Sequence, residues 1–234
     1  MSVRRLDAVQ PAHFAFLPAN QAWADAKIQE YPAGKQASAV IPILWKAQEQ
    51  EGWVSKPAIE SVARLLAMPY IRVLEIATFY TQFQLSPVGT VAHVQVCGTT
   101  PCMLRGAGDI LAACKQRIAQ HAHVRSADGK YSWEEVECLG ACVNAPMVMV
   151  GSDTFEDLTA ASFHALLDGY GRGNPPKPGP QTGRQLSAPE GGERTLTDTS
   201  LYDGSSIGVW RAAFEERERT KAEKAAATAA AKKT

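Results

Sequence analysis

Four cysteines in two close pairs constrain this chain more than any other feature of its sequence. Four residues separate Cys97 from Cys102, and three residues separate Cys138 from Cys142. Pairs of soft thiolate ligands on two short loops can converge on one metal centre when the intervening chain folds back. Both gaps are wider than the two-residue gap common in zinc ribbons, and they suit a two-iron cluster, in which each iron takes its own pair of sulfurs. The spacing therefore favours an iron–sulfur cluster, with zinc and disulfides as alternatives.

Small residues accompany the cysteines in both loops. Gly98 lies in the first loop, and Gly140 and Ala141 lie in the second. Positions without a bulky side chain let the backbone approach a sulfur and point N–H groups at it. Such donors stabilise an anionic cluster and tune its potential, so we expect these positions to support the cofactor.

Charge and hydropathy exclude several classes of function. The chain has 234 residues with 24 basic and 24 acidic side chains, so its net charge gives no reason to expect a nucleic acid partner. No apolar run approaches the roughly 20 residues that span a membrane, and the N-terminal residues lack the apolar core of a secretory signal. We expect a cytoplasmic protein that docks on a larger assembly. A reducing compartment favours metal ligands over disulfides, which leaves the fifth cysteine, Cys114, as a bystander.

The N-terminal part of the chain is predicted to be a small helical bundle. Its apolar residues recur at helical spacing, and proline and glycine separate the segments. Ser38 is expected to cap the second helix, and Ser55 the third, with Pro57 just inside the third helix. No charged residues cluster there in a catalytic arrangement, so we predict no catalytic residue. The predicted helices cover about residues 20–30, 38–51, 55–68 and 71–78.

The apolar period changes after Pro87, and a mixture of strands and helices is predicted. Each cysteine loop follows a strand, so we expect both loops at one edge of a sheet. Cys114 shares the apolar face of a helix with Ile110 and Ile118, which predicts an inert core thiol. The predicted strands are 91–96, 131–137 and 146–150, with a short edge strand at 154–155, and the predicted helices are 103–119 and 159–170.

A proline- and glycine-rich segment begins at Gly173. It has five glycines and five prolines before Arg194 ends it, which predicts a linker or a surface extension. We expect part of residues 173–214 to lie on a partner subunit, and residues 215–234 to be a solvated helix or disordered. The apolar anchors would be Leu196, Leu201, Tyr202, Ile207, Val209, Trp210 and Phe214.

Motifs in both parts of the chain resemble the family of the 24-kilodalton subunit of respiratory complex I, the NADH–quinone oxidoreductase. The match covers about residues 14–170. It includes Tyr31-Pro32, Ser38-Ala39-Val40-Ile41-Pro42, Gly52-Trp53, Ala77-Thr78-Phe79-Tyr80, both cysteine loops with Val96 and Glu137 before them, and Ala145-Pro146.

The resemblance implies an α+β fold in three parts. Residues 1–85 would hold the helical bundle, residues 86–172 a thioredoxin-like 2Fe–2S ferredoxin domain, and residues 173–234 an irregular C-terminal extension. It also implies that Cys97, Cys102, Cys138 and Cys142 bind one 2Fe–2S cluster. The chain would be an electron-transfer subunit of a quinone-reducing, proton-translocating enzyme, and it would not be catalytic alone.

The resemblance further implies two partners in the peripheral arm of the complex. One is a flavoprotein subunit that binds NADH and FMN, and the other is an iron–sulfur subunit. This chain has no Gly-x-Gly-x-x-Gly turn of a nucleotide-binding fold, in agreement with NADH and FMN residing on the partner. The expected location is cytoplasmic and peripheral to the inner membrane, or on the matrix side in a mitochondrion.

Other functions remain as alternatives. The equivalent subunit of an NAD-linked hydrogenase or formate dehydrogenase shares the cysteine pattern, and a zinc-stabilised interaction module without redox activity is a different class. A Rieske site is disfavoured because no histidine lies in either cysteine loop; His93 is on the preceding strand. A dithiol enzyme is disfavoured because the chain lacks a Cys-x-x-Cys motif.

Overall fold

Helices come first along the chain, and a mixed sheet with flanking helices follows them. The computed structural model describes residues 4–189, 191–192, 194–198, 200, 203–205 and 208–231. These form two compact units, Met1–Ser187 and Ala188–Thr234. The limits predicted at residues 85 and 172 concern the interior of the first unit and stay predictions.

The N-terminal helices pack around an apolar core that includes the fully buried Ile43, Leu44 and Leu66. Ser55 caps its helix as predicted, since its Oγ accepts a hydrogen bond from the N–H of Ala58 at 3.3 Å. The prediction for Ser38 was wrong. It lies in a 3-10 turn, Gln36–Ala39, whose own backbone bonds start the next helix without a side-chain cap. The helices are α1 (Pro18–Gln29), α2 (Val40–Glu51), α3 (Lys56–Leu65) and α4 (Tyr70–Phe79).

Five strands of the described chain form one sheet in the order β2-β1-β3-β4-β5. The first two strands run parallel, so both cysteine loops leave the sheet at the same edge, as the sequence predicted. β3 is antiparallel to both β1 and β4, and β4 and β5 are parallel. The strands are β1 (Ala92–Cys97), β2 (Tyr131–Val136), β3 (Val148–Val150), β4 (Asp153–Glu156) and β5 (Gly179–Pro180).

The single helix predicted over residues 103–119 is instead two helices, α5 (Thr100–Leu104) and α6 (Ala107–Arg117). Gly106 breaks the helix because its φ of 107° is left-handed, a conformation that glycine adopts at little cost. The first turn of α5 begins inside the cysteine loop. The last helix of this domain, α7 (Ala160–Gly171), packs with α6 on the sheet core.

The start of the C-terminal extension lies on the chain's own sheet. Residues 179–187, which we name the C-terminal strap, begin with β5 and continue past β4. The expectation that residues 173–214 lie on a partner was therefore wrong for this part, because the unpaired edge of β4 offers backbone bonds to the strap. The extension ends in a helix, α8 (Val209–Ala231), on which Trp210 and Phe214 are exposed. Leu201, Tyr202 and Ile207 lie outside the described residues.

Candidate metal centre

The first cysteine loop is anchored to the end of β1. Cys97 is the last residue of that strand, and Cys102 lies in α5; each side chain is 1% exposed. The N–H of Cys97 donates to the carbonyl of Met147 on the β3 side, at 3.3 Å, and the N–H of Gly98 donates to the carbonyl of Val136, at 3.0 Å. These bonds fix both sulfurs of the first pair on a buried wall between three strands.

The second loop carries its cysteines at the surface. Cys138 follows β2 and Cys142 starts a 3-10 turn, Cys142–Asn144; both are exposed, and their sulfurs are 3.5 Å apart. Gly140 adopts a left-handed φ of 89° and its N–H donates to the Cys138 sulfur at 3.4 Å. This is the role predicted for Gly140. Gly98 differs, because a side chain there would collide with the carboxylate of Glu135.

The two loops meet in one apolar cluster beneath the sulfurs. Cys97 and Cys102 from the first loop share it with Leu139 and Ala141 from the second, and with Met147. Burial opposes ionisation of Cys97. Hydrogen bonds from the side chain and backbone of Thr99 and from the backbone of Leu139 outweigh it, so the pKa of the Cys97 thiol lies below its usual value. A residue of the second loop therefore stabilises a sulfur of the first.

The remaining thiols resist ionisation when no cation is present. Burial, followed by the neighbouring sulfur of Cys97 and by the charge of Cys142, raises the pKa of Cys102 to about 12. The hydrogen bond with Cys138, together with burial and the charges of Cys138 and Cys97, raises the pKa of Cys142. Four sulfurs that repel one another as thiolates form a donor set that suits a cationic metal centre, where coordinated thiols are deprotonated.

The sulfurs are arranged as two pairs. In the described part of the chain, no three His, Cys, Asp or Glu side chains are placed to hold a single metal ion. A two-iron cluster takes one pair per iron and does not need three side chains around one point. The donor set therefore fits the predicted cluster. Cys114 stays apart, fully buried in the sheet core with its pKa raised to about 12 by burial, which confirms its place as a core thiol.

Comparison with known proteins agrees with this site. Residues 24–171 match the family described as thioredoxin-like 2Fe-2S ferredoxin. The chain belongs to the thioredoxin-like 2Fe–2S ferredoxin family. The α+β fold class and the 2Fe–2S cofactor predicted from the sequence are confirmed by this membership. Which residues hold the cofactor stays a prediction.

The relatives of this ferredoxin support the resemblance noted in its sequence. The first of the NADH-quinone oxidoreductase E subunits of Rhizobium meliloti (strain 1021) is 62% identical over 200 residues, covering 84% of this chain and 73% of the relative. The NADH-quinone oxidoreductase E subunit of Rickettsia bellii (strain RML369-C) is 48% identical over 157 residues, covering 67% of this chain and 93% of the relative. The resemblance to this subunit of NADH–quinone oxidoreductase is thereby confirmed.

A solved structure shares the fold of this ferredoxin. The crystal structure of an NAD+-reducing NiFe hydrogenase in the air-oxidised state matches with a TM-score of 0.51 and 18% identity. The match covers 58% of this chain but only 23% of the hydrogenase chain. At that identity it shows a common fold and nothing more.

Two features of the centre were missed by sequence reasoning. Thr99, whose Oγ1 lies 3.2 Å from the Cys97 sulfur, could have been found because it lies between the cysteines. Arg184 approaches the second loop from the C-terminal strap, and no signal in its glycine-rich surroundings marks it.

Proposed function

We propose that this chain is the electron-transfer E subunit of an NADH–quinone oxidoreductase, with a 2Fe–2S cluster held by Cys97, Cys102, Cys138 and Cys142. The observation that carries the proposal is the meeting of both cysteine pairs in one apolar cluster, in a domain of a 2Fe–2S family. The names of the relatives indicate the assembly. A bound 2Fe–2S cluster supplies exchange of single electrons.

The residues of the chain have distinct tasks in this proposal. The buried Cys97 and Cys102 form the fixed wall, and the exposed Cys138 and Cys142 form the side that is open to a partner. The N–H of Gly140 and the hydroxyl of Thr99 stabilise negative charge on sulfur. The described residues show no acid, base and nucleophile around the loops, so hydride chemistry belongs to a cofactor elsewhere.

The partner would be a flavoprotein subunit that carries the NADH site and FMN, with which this chain exchanges one electron. Exposed apolar side chains next to the cysteines, among them Leu104 and Val143, suit a protein interface better than water. An iron–sulfur subunit of the peripheral arm is the second expected neighbour. No helix in the described residues is long and apolar enough to cross a membrane, and we place the chain on the cytoplasmic or matrix side.

The ligand assignment is tested by replacing single cysteines in the full chain. Cys138→Ala removes one thiolate and should abolish the normal electron paramagnetic resonance signal of the dithionite-reduced protein, together with most iron and sulfide. Cys114→Ala is the matched control, because it removes a thiol that lies in the sheet core. A wild-type signal from Cys138→Ala would refute the assignment.

The division of labour is tested with NADH. The purified chain, free of flavin, should be reduced by dithionite yet should not oxidise NADH. The flavoprotein that co-purifies with it should restore NADH-dependent reduction of an acceptor. NADH oxidation by the single chain at the rate of the complex would contradict the proposal. The identity of the co-purifying chains also separates a respiratory complex from a hydrogenase or formate dehydrogenase.

A further inference from the structure

The C-terminal strap reaches the second cysteine loop through one side chain. Nη2 of Arg184 donates a hydrogen bond of 3.0 Å to the carbonyl of Val143, the residue directly after Cys142. The two partners are 41 positions apart along the chain. The peptide that this bond holds therefore adjoins a proposed cluster ligand.

The guanidinium of Arg184 is itself held rigidly. Its Nε donates to Oδ2 of Asp157 at 2.6 Å, and its Nη2 also contacts Oδ1 of the same carboxylate. The hydroxyl of Thr182 adds a third donor to Asp157, at 3.3 Å. The side chains of Arg184 and Asp157 are only 13% and 9% exposed. A bidentate pair of this kind fixes the plane of the guanidinium, and the second hydrogen of Nη2 is left to reach the Val143 carbonyl.

Asp157 binds the same loop with its backbone. Its N–H donates to the carbonyl of Asn144 at 2.7 Å. The side-chain amide of Asn144 donates to Oε2 of Glu156 at 2.6 Å and to the carbonyl of Leu186 at 3.1 Å. The two carbonyls that follow Cys142 are thus bound by the two members of one ion pair, and the strap closes the arrangement from both sides.

We propose that Arg184 is a positioning residue of the metal centre, holding the Val143 peptide and through it the direction of Cys142. The inference rests on the proposed function, since it takes Cys142 as a ligand. Cys142 is exposed, and the loop before it contains a left-handed glycine, so the loop has little packing of its own. Ligands need to stay within about 0.5 Å of their working geometry, and residues behind a ligand supply that restraint.

The test compares Arg184→Ala and Arg184→Lys with wild type in the full chain carrying its cluster. We measure iron release to a chelator, the reduced paramagnetic resonance spectrum and the midpoint potential. Arg184→Ala should release iron about tenfold faster and change the spectrum, as loss of a residue behind a metal ligand does. Arg184→Lys should be intermediate, because an ammonium can meet Asp157 but cannot also span to the Val143 carbonyl with a fixed fork.

Arg117→Ala is the matched control. Arg117 pairs with Asp168 at 2.6 Å between α6 and α7, an arginine–aspartate pair in the same domain that touches neither cysteine loop. This variant should keep wild-type iron retention, spectrum and potential. Equal iron release from Arg117→Ala and Arg184→Ala would show that a general loss of stability causes the effect, and would overturn the inference.

Two further outcomes separate the inference from the proposed function. If wild type binds a cluster through the four cysteines and Arg184→Ala matches it in all three measurements, only the inference fails. If wild type binds no iron and sulfide, both fail. Should Arg184→Ala not fold, the comparison of Arg184→Lys with wild type decides the question in the same way.

Discussion

Replacing Glu134 with alanine should destabilise the protein strongly, because this buried carboxylate joins the sheet to the helical part. Its Oε1 accepts hydrogen bonds from Gln84 at 2.7 Å, from Gln95 at 2.8 Å and from Nε2 of His93 at 3.1 Å. Gln84 is also tied to α2, since its N–H donates to the side chain of Gln48 at 2.6 Å. Removing the carboxylate therefore leaves three donors, each at least partly buried, without this acceptor.

The expected cost follows from these contacts. Removing one member of a buried, charge-assisted set typically costs about 3–5 kcal/mol of unfolding free energy, and Glu134→Ala should fall in that range. Glu134→Gln keeps an acceptor oxygen and loses only the charge, so it should cost about 1–2 kcal/mol. The control is Glu60→Ala on α3, whose side chain is 41% exposed and which should change stability by less than about 0.5 kcal/mol.

The pH dependence has a definite sign. Burial raises the pKa of Glu134, but hydrogen bonds from His93 and Gln95 and the charges of His93 and His123 outweigh it, so its pKa lies below the usual value. A carboxyl with a depressed pKa stabilises the fold above its unfolded pKa of about 4.3, and this stability is lost as the pH falls through the folded pKa. The difference in stability between wild type and Glu134→Gln should therefore shrink below about pH 4.

Urea denaturation followed by circular dichroism measures both effects. Unfolding free energies are taken for wild type, the two Glu134 variants and Glu60→Ala at neutral pH, and then at decreasing pH. The cysteines are the same in each variant, so loss of the cluster in acid affects all of them alike. A cost for Glu134→Ala no larger than that for Glu60→Ala, or a difference from Glu134→Gln that does not change with pH, would refute the reasoning.

Two further predictions concern the core and the extension. Cys114→Ala should keep the full cluster signal and cost about 1 kcal/mol, because it is a small large-to-small change in the sheet core; loss of the signal from a folded variant would show that the thiol supports the centre. Brief trypsin treatment should cut after the exposed Arg194 before it cuts after Arg184, whose side chain is 13% exposed; mass spectrometry identifies the first fragment, and first cleavage at Arg184 would contradict the docking of the C-terminal strap.

Local features of the sequence were enough to predict most elements and the four cysteines of the site. Apolar spacing predicted the helical bundle and the main strands, and Ser55 was recognisable as a cap because capping depends on neighbours within one turn. Both cysteine loops were predicted at one edge because each follows a strand, and parallel pairing of β1 and β2 confirms this. The break at Gly106 was missed because a single glycine does not interrupt an apolar stripe.

Contacts between distant segments were decided only by the tertiary structure. A segment rich in proline and glycine has the same composition whether it lies on its own sheet, on a partner or in water, so the sequence could not show that Arg184 reaches Val143. His93 and Glu134 likewise meet only because β1 and β2 pair side by side. The sequence by itself determined which sulfurs are available and how far apart they lie on each loop. The fold decided which of them are buried and what holds the exposed pair, because burial and long-range hydrogen bonds exist only after the chain is packed.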